Sequence, residues 1–246
     1  MNPEFDTSSL LCEILKKANY WNDDNQGFES VFYYFISDII YALKKFNNQE
    51  LKEELSKSII KHSIKDNFNS MDSLYHLTET INQIMLDEFL SDISIYISNN
   101  NFTELRNWNL SSMLNKCKDL NTNKMITWYK SNPNHVSLIF LLSSLPLFED
   151  STEESFSNEI LFLLNEIRIF SDLDFLDMRL NTYTSNGEDI MCSRKKAVEK
   201  LISNKNELIQ KWAIEEKSKI ERNQEREKEM LGHFFKKQDY SILENN

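Results

Sequence analysis

Glycine occupies only three of the 246 positions (27, 187 and 232), and proline only three more. Tight hairpins and phosphate-cradling loops both draw on glycine for positive φ angles, which a side chain disfavours. Three glycines cannot supply many such turns. The sequence therefore predicts an all-α fold, a multi-helix bundle. Hydrophobic residues make up 40% of the chain and aromatics 12%, enough for a packed core.

Helical periodicity runs almost throughout. The spacing predicts helices over 7–19, 28–46, a more polar outer helix over 49–65, and one ending near Ser98 that carries Leu74, Leu77, Ile81, Ile84, Met85, Phe89, Ile93 and Ile97. In the second of these, Phe28, Val31, Phe32, Phe35, Ile39, Leu43 and Phe46 form a stripe, while Tyr33, Tyr34, Ile40 and Tyr41 cover much of the rest. A central position touched on several sides is expected. Two shorter segments follow near 102–119 and 122–131, then a turn at Asn132-Pro133-Asn134 that marks an internal boundary. A buried helix of about ten residues is halted before Pro146. Ser151 and Glu154 have the spacing of a capping box opening the next helix, and Ser171 suits the start of another.

The terminal stretch stands apart. A helix started by Glu188 and Asp189 keeps Ile190, Met191, Ala197, Val198, Leu201, Ile202, Leu208, Ile209, Trp212 and Ala213 in register, and Gly232 offers a stop. Such a helix would hold roughly 43 residues and measure about 64 Å. A body of about 180 residues is roughly 40 Å across. Eleven of the fifteen residues from 215 to 229 are charged, so the part expected to overhang is the part with no apolar face. The expected organisation is a helical body over 1–187, a long and partly projecting C-terminal helix over 188–235, and a flexible tail over 236–246.

Net charge is −11 and the isoelectric point lies near 5.0, which opposes a general nucleic-acid binder. No apolar run is long enough to span a bilayer. No charged leader with an apolar core opens the sequence, and three widely separated cysteines (12, 117 and 192) read as reduced thiols, so a cytoplasmic protein is expected. An abundance of Asn, Ile, Lys, Ser and Phe with little Ala or Gly reflects AT-rich coding, common on bacterial mobile elements and defence islands.

Chemistry-bearing clusters are few. Asp172, Asp174 and Asp177 offer hard oxygen ligands for a metal, but the same acids suit the first turns of a helix capped by Ser171. Asp38 interrupts an apolar helix and, if buried, needs a neighbouring Tyr or Lys. Arg194, Lys195, Lys196, Lys200 and Lys205 form the densest basic patch, which could contact phosphate in a nucleic-acid-associated regulator. The histidines at 62, 76, 135 and 233 are far apart, and no phosphate loop, dinucleotide fingerprint or nucleophile elbow is present. Neither metal nor cofactor is expected. Arg226 and His233 stand with six residues between them on the terminal helix. That spacing resembles the motif of the HEPN family of all-helical RNA nucleases, and the resemblance implies that the two residues meet a scissile phosphate across a dimer.

The reading that accounts for most of the chain is a non-catalytic adaptor or accessory subunit of a protein complex. It would bind a partner protein, or a second copy, through the terminal helix. The contact residues would be Val198, Leu201, Leu208, Ile209, Trp212 and Ile220 along one side and Met230, Leu231, Phe234 and Phe235 at the tip.

Overall fold

The computed structural model describes residues 6–20, 26–63, 77–99, 114–115, 117, 119–180 and 187–243; the side chains at 18–20, 26–33, 62–63, 99, 175, 178, 187–189, 227–228 and 230–243 lie outside the description. The expected helix over 102–119 and the starts of several others fall largely outside those residues. The described residues are helical, with no strand beyond one isolated bridge between Phe148 and Phe156. They form two compact units, Met1–Leu145 and Pro146–Asn246.

In the first unit, α1 (Ser8–Tyr20) packs against α2 (Gln26–Phe46) and α3 (Gln49–Ser63), and α3 packs in turn against α4 (Leu86–Asn99). Leu11, Cys12 and Leu15 of α1 are buried, as are Ile36, Ile39, Ala42 and Leu43 of α2. The opposite face of α2 is open: Tyr34 is 74% exposed and Tyr41 56%. Over its described side chains, 34–46, this helix is therefore one-sided, not wrapped on several sides. The expected outer helix is α3, and it is nearer the centre. Leu51, Leu55 and Ile59 recur every fourth residue and are fully buried, and Lys52 is buried in a pair with Glu88 at 3.5 Å. A stripe of three aliphatics sufficed despite the polar average.

Residues 77–80 and a π-helical stretch, Ile81–Met85, lead into α4. The wider turn inserts one extra residue and shifts the downstream face. Ile84 is accordingly half-buried, while Leu86 and Leu90 join Phe89 and Ile93 in the core. Asn82 in this stretch holds the next loop: its amide donates to the Asp119 carbonyl at 2.7 Å and its oxygen accepts from the Asn121 N–H at 2.8 Å. Asn121 caps α5 (Thr122–Ser131) and Asn134 caps α6 (His135–Ser144). The turn between them is not a boundary. The Asn132 carbonyl accepts from Ser137 Oγ at 2.6 Å, and Trp128 and Phe140 meet edge to face across it. The division falls at Leu145, held extended before Pro146.

The second unit opens with a small loop, 147–157, closed by backbone bonds from Ser157 to Leu147 and Glu149 to Ser155 (both 3.0 Å) and by stacked Phe148 and Phe156 rings. The capping box expected at Ser151 is not used. Ser157 caps α7 (Asn158–Leu164), accepting from the Ile160 N–H, while its hydroxyl donates to the Pro146 carbonyl at 2.8 Å. Ser171 does not cap either, since a 3₁₀ turn, Phe170–Leu173, precedes α8 (Asp174–Leu180).

The long terminal rod is two helices. α9 spans Gly187–Leu201 and α10 spans Glu207–Leu243, 37 residues and about 55 Å. The break carries its own signal in Ser203, Asn204 and Asn206, whose side chains compete for backbone bonds. Asn204 Oδ1 accepts from the Asn206 N–H at 2.8 Å and Asn206 Oδ1 from the Leu208 N–H at 3.0 Å. Gly232 does not stop α10, which runs past it. Along the hairpin, Ile202 meets Gln210, Glu199 meets Lys217, Lys195 meets Glu221 and Cys192 meets Gln224, so the helices are antiparallel.

Candidate functional site

The hairpin of α9 and α10 holds every residue expected to bind a partner, and it sorts them into two groups. Val198, Leu201, Ile209, Trp212 and Ile220 are buried in the unit's own core. They face inward because the rod folds back, so they are not free for a partner as expected. Leu208 is half-buried. Met230, Leu231, Phe234 and Phe235 lie on α10 beyond the described side chains.

Beneath α10 sits a polar knot. Asp177 Oδ1 accepts from Trp212 Nε1 at 2.5 Å, and its Oδ2 lies 2.5 Å from Lys219 Nζ. Lys219 also pairs with Glu216, which is fully buried, at 3.0 Å. Burial pulls the Lys219 ammonium down, but its bonds to Asp177 and Glu216 outweigh that and hold it above its ordinary value. Nearby in sequence, burial pushes the Arg179 guanidinium down to about 10. Asp177 is thus spent on a tryptophan and a lysine. Asp172 is buried beside Leu173 and Asp174 is exposed, and among the described residues no cluster of His, Cys, Asp or Glu could hold a metal.

The basic patch on α9 is neutralised from within. Arg194, only 8% exposed, bonds through Nε to Glu153 at 2.5 Å and through a terminal nitrogen to the Leu180 carbonyl, with its guanidinium over the Phe148 ring. Lys195 pairs with Glu221 and Lys196 with Glu154, both at 2.7 Å, and Lys200 reaches the Glu154 carbonyl and Ser155. The carboxylate bonded to each raises Lys195 and Lys196 above the usual lysine range, and Lys195 holds Glu221 below the usual carboxylate range. These cations fasten the 147–157 loop and α10 to α9. They do not form an open phosphate surface. Lys205, beside Arg168 and Asn206, shows no carboxylate partner among the described residues, and Lys200 ends on a backbone carbonyl and a hydroxyl instead of a carboxylate.

Asp38 is exposed on the outer face of α2, so the partner a buried carboxylate would need is not required. Arg226 is exposed on α10 and lines a cleft with Lys219, Arg222 and Asn223. Composition did not single out that cleft. The signal was present in the spacing of 219, 222, 223 and 226, which puts all four on one helical face. Compared with known proteins, the chain matches no protein family, no curated protein and no solved structure. No helix among the described residues is long and apolar enough to cross a membrane.

Proposed function

We propose that the chain is a non-catalytic adaptor that binds a partner protein chain, a second copy included, through the C-terminal end of α10. The observation that carries this reading is the length of α10. Among the described side chains Gln224 is the last seen bonded to α9, and the helix continues about five more turns to Leu243. Residues 215–224 belong to the hairpin, so the contact surface narrows to 230–243. By helical spacing Met230, Leu231, Phe234 and Phe235 share one apolar stripe there, the pattern of a helix that lies in a groove. Large aromatic anchors contribute most to such contacts. An accessory role in a bacterial defence or mobile-element complex rests on the coding bias alone.

The test is a truncation after Glu229. The shortened chain should fold with the melting temperature of the full chain, lose any self-association seen by light scattering, and fail to co-purify the proteins that full-length bait retrieves from its native source. Identical retrieval by both chains contradicts the reading.

A second reading gains from the continuity of α10 across Gly232, which sets Arg226 and His233 about two turns apart on one face. It predicts RNA cleavage that His233→Ala abolishes without loss of fold. Absence of cleavage by the full chain removes it.

A further inference from the structure

Among the described side chains of α10, Arg222 and Arg226 are the two cations without a carboxylate partner. Lys195, Lys217 and Lys219 each meet a carboxylate. Arg222 donates through Nε only to the Ser218 carbonyl of its own helix, at 3.2 Å, and Arg226 meets no carboxylate among the described residues. One turn apart on one face, the two guanidinia repel each other. With Lys219 and Asn223 they line a cleft of about 400 Å³, a volume within the range of small-molecule sites.

Lys219 does not add a free charge there, because Asp177 and Glu216 already hold it. It supplies a fixed wall, set by the knot around the buried Trp212 and Glu216. Among the described residues the remaining donors are two planar forks and an amide, a set that suits a tetrahedral oxyanion with several acceptor oxygens. A net charge of −11 repels long polyanions from a distance, so the ligand that fits carries few charges.

We propose that this cleft binds a small phosphate-bearing ligand, its phosphate held between Arg222 and Arg226 with the Asn223 side chain as a further donor. The site lies N-terminal to the segment assigned to the partner, so the two readings stand or fall separately. The experiment is isothermal titration calorimetry of the full-length chain at low salt with inorganic phosphate, with adenosine monophosphate, and with acetate as the planar-anion control. Saturable binding of phosphate or the monophosphate is expected, at least about tenfold tighter than acetate and at least about tenfold weaker in R222Q/R226Q. The melting temperature of that variant should match the wild type, and an R168Q/K205Q control should bind normally. Binding of both ligands would show that phosphate alone suffices; binding of the monophosphate alone would assign the site to phosphorylated organic compounds. No binding of either at millimolar concentration overturns the proposal. So does equal binding by R222Q/R226Q, or binding of an RNA oligonucleotide where neither small ligand binds.

Discussion

Arg194, Lys195 and Lys196 on α9 each end on a carboxylate supplied by the same unit. Arg222 and Arg226 on α10 meet none among the described residues. In sequence the first group is the denser and looks more like a binding surface. In the fold it is structural, because the 147–157 loop and α10 bring Glu153, Glu154 and Glu221 onto it. The second group stands among more acids in sequence, yet among the described residues none closes on it. Density of charge along a chain says little about availability; what decides is which acids the neighbouring elements carry to the same face.

Four substitutions separate structural from available groups. Trp212→Ala should lower stability most, by about 3–5 kcal/mol in urea unfolding, since it empties the core of the hairpin and removes a bond to Asp177. Arg194→Met should cost about 2–3 kcal/mol, short of a fully buried pair because Glu153 keeps some solvent contact. Replacing Arg222 and Arg226 together with glutamine should move stability by less than about 0.5 kcal/mol. A large loss there would make them structural after all and erase the contrast.

The smallest effect concerns pH. Glu221 is held below the usual carboxylate range by Lys195, so its contribution is present above the unfolded value of about 4.3 and is lost as pH falls through the lower folded value. Wild type and Glu221→Gln should therefore differ at about pH 6 and converge by about pH 3 in parallel denaturation curves. A gap that widens on acidification would mean Lys195 is not its partner.

The helical class was legible because glycine scarcity and periodicity act along the whole chain. The stop before Pro146 was legible because proline constrains its own neighbour. Other features depended on which alternative won locally. Ser151 and Ser157 both precede an acid and an apolar run, and the Phe148–Phe156 stack consumed the first as a loop. The Ser203–Asn206 cluster broke the rod although the apolar register continued through it. Gly232, the more obvious breaker, was absorbed within α10. The partner residues along 198–220 matched a surface stripe only while the rod was straight; once it folds, the same stripe is core.

That fold-back decides which part of α10 is left for anything outside the chain, and one cross-link tests it directly. Gln224 Nε2 lies 3.3 Å from Cys192 Sγ. A Gln224→Cys chain, with Cys12 and Cys117 replaced by alanine, should close an intramolecular disulfide on mild oxidation, seen as a faster band on a non-reducing gel and a loss of two hydrogens by mass. A continuous rod would hold residues 192 and 224 about 48 Å apart. Free thiols or only intermolecular dimers after oxidation would contradict the hairpin.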